Sequence, residues 1–154
     1  MTKVLFLGLV ASLMNALLGD AIAAAGAPMR ASFQTVLRGY QSGVREPLET
    51  VARNQINWET LWRKHVAKEA NPPTPPLVDF NKEIVVAVFL GERPTGGHDI
   101  EITKVEQTDG KLVVSVVERK PPPGSLTTQA FTQPFHIIKV AAQGSQAVSF
   151  RRLP

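Results

Sequence analysis

The stretch "EIVVAVFLGERPTGGHDIEI", residues 83–102, combines an apolar run, a glycine-rich segment and an alternating segment. Residues 83–90 are almost all apolar and rich in valine, which is typical of a central strand covered on both faces. The part "GERPTGG", residues 91–97, is turn chemistry, because proline fixes φ and glycine permits positive φ. The following "HDIEI" alternates polar and apolar residues, which predicts another strand. A buried strand therefore opens into a glycine-rich loop and then a half-buried strand.

Strand patterns continue downstream. The alternation over residues 98–107 changes phase at Val105, which predicts a bulge. The pair Asp109 and Gly110 predicts a hairpin turn into "KLVVSVVER". "KPPPGSLTTQ", residues 120–129, predicts a long loop, because proline cannot donate to a ladder. We further predict that "PFHIIKVAA" and "QAVSFRR" form a final pair of strands around "QGS".

Upstream, residues 33–38 alternate and predict a strand, and "YQSG" predicts a turn. "PLETVARN", residues 47–54, fits a strand or a helix. "INWETLWRKHVAKEAN", residues 56–71, predicts an amphipathic helix with Asn57 as its N-cap. Its apolar stripe consists of Trp58, Leu61, Trp62, His65 and Val66. The two tryptophans either pack in the core or form a ligand platform, and their place on the stripe favours the core.

These elements predict an α+β fold: a small, mostly antiparallel β-sandwich or half-barrel with six or seven strands and one packed amphipathic helix. We divide the chain into N-terminal strands and a helix that packs on the sheet (residues 26–71), a Pro-rich connector (residues 72–76) and a β domain (residues 77–154). The stretch "NPPTPP", residues 71–76, which contains this connector, is expected to be stiff and extended.

The N-terminus predicts export. Lys3 precedes 15 largely apolar residues, 4–18, and Ala23 and Ala25 provide the small residues that a signal peptidase requires. We predict a signal peptide over residues 1–25 and a periplasmic or secreted protein. The apolar run is shorter than the ~20 residues of a spanning helix, so no stable membrane span is expected after cleavage; an uncleaved anchor is the alternative. The chain has 0 cysteines, which excludes disulfides, thiolate metal sites and cysteine-linked lipid.

The remaining composition argues against several functions. The formal net charge is +4, but the basic residues are scattered, and we predict no nucleic-acid partner. The chain lacks a nucleophile motif, a phosphate-binding loop and paired metal-ligand histidines, so we expect no cofactor, no metal and no enzyme activity. His98 and His136 could meet only if their strands paired. We interpret Asp99, Glu101 and Glu106 as solvated.

The loop at residues 91–97 supports two interpretations. A stable turn could project Arg93 as a planar donor to a carboxylate of a partner protein. Alternatively, the loop is a tight connection between two strands and Arg93 is merely solvated. The residues alone leave both open.

Three blocks, "VDFNKEIVVAVFLGERPTGGHDIEI", "KLVVSVVER" and "TQPFHIIKV", resemble the C-terminal domain of PrcB-like proteins over residues 77–152. The most specific parts are residues 91–97 and 132–136. The sequence departs from the family at His98, where tyrosine is usual, and in lacking a lipidation cysteine. The resemblance implies an exported, non-enzymatic accessory protein that binds and stabilises a secreted subtilisin-like protease. It implies these binding residues: Gly91, Arg93, Pro94, Thr95, Gly96, Gly97, His98, Thr132, Pro134 and His136.

Two other functions are alternatives to the accessory role. The "RPTGG" loop is also similar to the inhibitory loop of chagasin-type inhibitors of cysteine proteases, which implies a protease inhibitor. A small-ligand or glycan-binding envelope module would instead use exposed Trp58 or Trp62.

Overall fold

The computed structural model describes residues 26–142 and 145–154. The predicted signal peptide, residues 1–25, lies outside the described residues. The described chain contains eight strands and one helix. In chain order they are β1 (Met29–Ala31), β2 (Phe33–Gly39), β3 (Leu48–Ala52), α1 (Gln55–His65), β4 (Glu83–Phe89), β5 (Asp99–Thr108), β6 (Lys111–Arg119), β7 (Phe135–Ala141) and β8 (Val148–Leu153).

The strands form two sheets. The first sheet has the order β1-β5-β6-β8 and the second the order β2-β7-β4-β3. Every pairing is antiparallel except that of β6 with β8. The chain runs between the sheets without closing them into a barrel. The predicted α+β class and the mostly antiparallel sandwich are therefore confirmed.

Strand β4 lies at the centre of the fold, as its apolar run predicts. Ile84, Val86 and Val88 face the first sheet and join the core between the sheets. Val85, Ala87 and Phe89 face the other way and pack with the residues of α1. Because both faces of β4 are covered, its sequence shows no alternation.

Helix α1 is capped three residues earlier than predicted. The N-cap is Asn54, whose side-chain oxygen accepts a hydrogen bond from the N–H of Asn57 at 2.8 Å; the prediction of Asn57 as N-cap is wrong. The helix ends at His65, before the predicted end at residue 71. "PLETVARN" contributes strand β3, which decides between the two options for that segment. In the part of the chain that the structure describes, no helix is long and apolar enough to cross a membrane.

The two tryptophans are buried in the core. Trp58 is 0% exposed and Trp62 is 4% exposed. Their indole N–H groups donate to the carbonyls of Pro76, at 2.9 Å, and Pro73, at 2.7 Å, so the Pro-rich connector lies across the helix. The core interpretation is confirmed, and the ligand-platform hypothesis is wrong because neither ring offers a face to solvent.

The predicted final strand pair is also wrong. Strand β7 pairs with β2 and β4 in the second sheet, whereas β8 runs parallel to β6 in the first. The chain crosses between the sheets after β7, which lets Val148 and Phe150 pack against the inter-sheet core. The bulge in β5 is present between Ile102 and Lys104, close to the predicted phase change.

Candidate partner-binding loop

The loop between β4 and β5, residues 91–98, is fixed at its root by Gly91. Gly91 has φ +79°, and a Cβ atom there would lie 2.8 Å from the backbone nitrogen of Pro47 and 2.9 Å from the carbonyl oxygen of Arg45. Only glycine combines this dihedral with so close an approach of another backbone. The root therefore packs tightly on the segment that leads into β3.

Backbone hydrogen bonds fasten the loop to residues 128–132. Arg93 and Thr132 form an antiparallel bridge, in which each N–H donates to the other's carbonyl at 2.8 and 2.9 Å. The hydroxyl of Thr132 donates to the carbonyl of Thr95 at 3.0 Å, and Gly96 N–H donates to the carbonyl of Thr128 at 3.0 Å. The structure thus brings together residues 91–97 and the segment around Thr132, which are more than thirty residues apart in the sequence.

Gly96 and Gly97 let the loop lie close to its neighbours. A Cβ atom on Gly96 would lie 2.3 Å from the hydroxyl oxygen of Thr128. Gly97 has φ +82°, and a Cβ there would lie 2.8 Å from the Cβ of Pro121. Pro94, by contrast, is exposed. The glycines therefore serve the packing of the loop, and Pro94 belongs to its outer surface.

The side chain of Arg93 lies against the protein, so it neither projects freely from the loop nor is merely solvated. Its Nη1 donates to the carbonyl of Glu92 at 3.2 Å, and its Nη2 lies 3.9 Å from the carboxylate of Glu118. The side chain is 27% exposed. A pair at this distance and exposure contributes little to stability, but it holds the guanidinium against the protein.

Glu92 joins three segments behind the loop. Its carboxylate accepts hydrogen bonds from Arg45 Nε at 2.9 Å and from Gln133 Nε2 at 2.8 Å. Partial burial opposes ionisation of Glu92, but these hydrogen bonds outweigh it and lower the pKa of the carboxyl below its ordinary value. The N–H of Gln133 also donates to the carbonyl of Tyr40 at 2.8 Å. Tyr40 and Arg45 are thereby held in fixed positions beside the loop.

Pro134 and His136 belong to the scaffold. The carbonyl of Pro134 accepts from Leu90 N–H at 2.8 Å. His136 is buried between the sheets, where its Nδ1 accepts from Ile102 N–H at 2.9 Å. Its Nε2 therefore carries the proton and donates to the hydroxyl of Thr35 at 2.9 Å. His136 joins the two sheets at the bulge of β5, and burial lowers its pKa to about 4.

His98 lies half-buried at the end of the loop, and within the described residues its Nδ1 has no hydrogen-bond partner. It does not meet His136 through strand pairing, because β5 and β7 lie in different sheets. Over residues 26–142 and 145–154, no group of three or more His, Cys, Asp or Glu side chains is arranged to hold a metal ion.

The interpretation of the β5 carboxylates as solvated is wrong. Asp99 lies 2.6 Å from Arg38 and 2.9 Å from Arg119. Glu101 lies 3.0 and 2.7 Å from the same two guanidinium groups, and the hydrogen bond from Arg119 is the largest cause of its lowered pKa. Glu106 likewise pairs with Lys104 at 2.6 Å and with Arg151 at 3.1 Å. The cluster around Asp99 ties β2 of the second sheet to the first sheet beside the loop.

A shallow groove of about 320 Å³ runs beside the loop. It is lined by Tyr40, Gly96, Gly97, His98, Asp99, Thr128 and Thr132. Tyr40 is 54% exposed, and Phe131, next to Thr132 in the chain, is 63% exposed. We call this groove, together with Pro94 and Phe131, the loop face. The sequence prediction missed Tyr40 and Phe131, although an aromatic residue beside a turn was the signal available for each.

No curated protein and no solved structure matches this chain. Residues 84–141 match the family model described as PrcB C-terminal. The matched segment runs from β4 to β7 and therefore contains the loop, the segment to which it is fastened and the central strand of the second sheet. The resemblance predicted from the sequence is confirmed over residues 84–141, which are similar to the PrcB C-terminal family.

Proposed function

We propose that this protein is an exported, non-enzymatic accessory protein that binds and stabilises a secreted subtilisin-like protease through its loop face. The PrcB C-terminal match supports a protease-associated accessory role in general. The observation that carries the binding surface is the cross-fastened loop, in which the Arg93–Thr132 bridge holds the backbone beside the exposed ring of Tyr40.

A preorganised loop suits protein binding. A flexible loop would lose conformational entropy on binding, whereas this loop is already ordered by the bonds of Arg93, Thr95 and Gly96 to residues 128–132. Tyrosine is among the residues that contribute most to interface energy. The groove of about 320 Å³ has the size to receive one or two side chains of the partner.

The burial of the Ser42–His65 pair supports a non-enzymatic role. Ser42 and His65 form a hydrogen bond of 3.0 Å, the pairing that a nucleophilic site uses. Both residues are buried, however, and the imidazole packs against the rings of Trp62, Phe89 and Phe135. A substrate could not reach this hydroxyl without unfolding of the surrounding core.

Arg93 retains a part in the proposal, but a smaller one than a projecting arginine would have. Its bridge to Thr132 sets the loop conformation, and the exposed part of its guanidinium can donate to a carboxylate of the partner. We therefore expect Arg93→Ala to weaken partner binding less than loss of the exposed aromatic rings.

The test is a crosslinked pull-down from the native cell envelope with tagged protein, read by mass spectrometry. Tyr40→Ala with Phe131→Ala removes the exposed rings of the loop face. The matched control, Ile56→Ala with Leu77→Ala, removes two apolar side chains on the helix side that are even more exposed. We expect the wild type and the control to enrich one protease, and the loop-face variant to lose it by about tenfold or more.

The captured protease also distinguishes stabilisation from inhibition. Under the proposal, added protein prolongs the active lifetime of the protease without lowering its initial rate. A lowered initial rate would instead indicate a chagasin-like inhibitor. Equal capture by both double variants would refute the loop face as the binding surface.

A further inference from the structure

Strand β3 presents a regular free edge. It pairs with β4 through all five residues without a register shift. Within the described residues, the backbone of β3 makes no hydrogen bond outside that ladder. Its other side therefore offers a row of peptide groups to which another extended chain can bind.

The other outer strands carry features that block such pairing. Strand β1 has three residues, and β2 is interrupted by a bulge between Thr35 and Leu37. Strand β8 carries Arg151 and Arg152, whose side chains are engaged by carboxylates. Short edges, bulges and edge charges are common means of preventing strand addition. Strand β3 lacks a bulge, a proline and a basic residue.

A groove of about 260 Å³ follows the β3 edge on the helix side. Leu48, Thr50 and Ala52 line it from the strand, and Leu61 forms part of its floor. Helix residues Asn57, Thr60 and Lys64 line its other side. A strand added to β3 would direct alternate side chains into this groove, because strand side chains point to opposite faces in turn.

The groove has a charge at one end. Lys64 also borders the surface depression formed by residues 43–48, which places it near the Leu48 end of β3. Among the residues that the structure describes, its ammonium group has no ion-pair partner, and the groove lining contains no carboxylate. Glu49 points to the opposite face, where it pairs with Arg152 at 2.9 Å. The uncompensated charge favours an acidic group on the occupant.

We propose that the edge of β3 and the groove beside α1 form a peptide-docking site for an extended acidic segment of a partner protein. The segment adds antiparallel to β3 as a fifth strand of the second sheet. Its alternate, small apolar side chains enter the groove, and an acidic residue in its C-terminal half lies opposite Lys64. Backbone hydrogen bonds provide affinity and the groove provides specificity, as in other cases of strand addition. The site does not depend on the loop face.

The test uses a phage-displayed library of nine-residue peptides, selected on the purified protein. We expect the enriched peptides to alternate small apolar and polar residues and to carry Asp or Glu at one position. The affinity of the best peptide is then measured by fluorescence anisotropy against four variants. Each variant must retain the wild-type melting temperature within one or two degrees, as expected for surface changes.

Thr60→Trp fills the groove and is expected to weaken binding by fifty-fold or more. Lys64→Glu is expected to weaken it by about tenfold. Arg63→Glu changes the charge equally on the neighbouring residue, which does not line the groove, and should stay within twofold. Tyr40→Ala should have no effect, because the loop face is elsewhere.

Three outcomes would overturn the proposal. The first is that no alternating acidic peptide is enriched. The second is that binding survives Thr60→Trp or is lost with Tyr40→Ala, which would assign the peptide to the loop face. The third is that sedimentation shows a dimer that Thr60→Trp dissociates, which would make a second copy of this chain the occupant of the edge.

Discussion

Replacement of Gly91 by alanine is expected to destabilise the protein by about 2–5 kcal/mol. The left-handed conformation at φ +79° costs a residue with a Cβ about 1–2 kcal/mol. The added methyl group would also lie 2.8 Å from the backbone nitrogen of Pro47 and 2.9 Å from the carbonyl oxygen of Arg45. These are backbone atoms that cannot rotate away, and such overpacking costs about 1–3 kcal/mol.

Gly110→Ala is the matched control. Gly110 has φ +73°, but a Cβ there would meet nothing within 4 Å. It carries the conformational cost without the clash, so we expect a loss of about 1–2 kcal/mol. The difference between the two variants isolates the packing of the loop root on the segment before β3.

Both variants are measured by urea unfolding, with the fluorescence of the two buried tryptophans as the signal. An unchanged slope with denaturant concentration shows that the difference lies in stability. A natural domain is stable by about 5–15 kcal/mol, so the predicted loss for Gly91→Ala is readily measured. Equal losses for Gly91→Ala and Gly110→Ala would refute the tight packing of the loop root.

Three further predictions concern the scaffold. His136→Leu leaves the N–H of Ile102 without its acceptor, so we expect a loss of about 1–3 kcal/mol and faster hydrogen exchange at that amide; unchanged protection would contradict the inter-sheet bond. The pKa values of His65 and His136 are lowered by burial from 6.5 to about 4. Between these pH values the unfolded chain binds protons that the folded chain does not. The unfolding free energy should therefore fall as pH decreases from 6.5 to 4, by at most about 1.4 kcal/mol per pH unit for each of these two histidines. Titration of the imidazole NMR signals of His65 and His136 near pH 6.5 would contradict this. Iodide should quench Trp58 and Trp62 weakly because both are buried, and strong quenching would restore the ligand-platform hypothesis.

Much of the fold follows from local pattern. The apolar run of β4 predicts burial on both faces, and the turn residues Asp109 and Gly110, both with positive φ, predict the hairpin between β5 and β6. The helix is predicted by its apolar stripe, although its start is set by Asn54. These features depend on neighbours in the sequence, so the sequence alone contains the information.

The features that sequence reasoning missed depend on distant contacts. The sequence pattern of β8 predicts a strand, but it does not indicate that this strand pairs with β6 rather than β7. The guanidinium of Arg93 has a partner in Glu118, twenty-five residues away. The role of His136 depends on the orphan N–H that a bulge in another sheet leaves at Ile102. Tyr40 joins the loop face because β2 pairs with β7 up to Gly39 and the Gln133 N–H binds the Tyr40 carbonyl.

Whether the loop face binds a protease is tested by photocrosslinking from a single residue in the native envelope. A photoreactive amino acid replaces Tyr40, which lines the loop groove, or Ile56, which is 76% exposed at the start of α1. The last residue of β3, Ala52, pairs with Val85 near the start of β4, and α1 begins three residues later. The loop follows the other end of β4, so Ile56 lies at the opposite end of the second sheet from the loop. We predict a covalent adduct with a protease from position 40 and none from position 56. Adducts of equal yield from both positions, or an adduct from position 56 alone, would contradict the account.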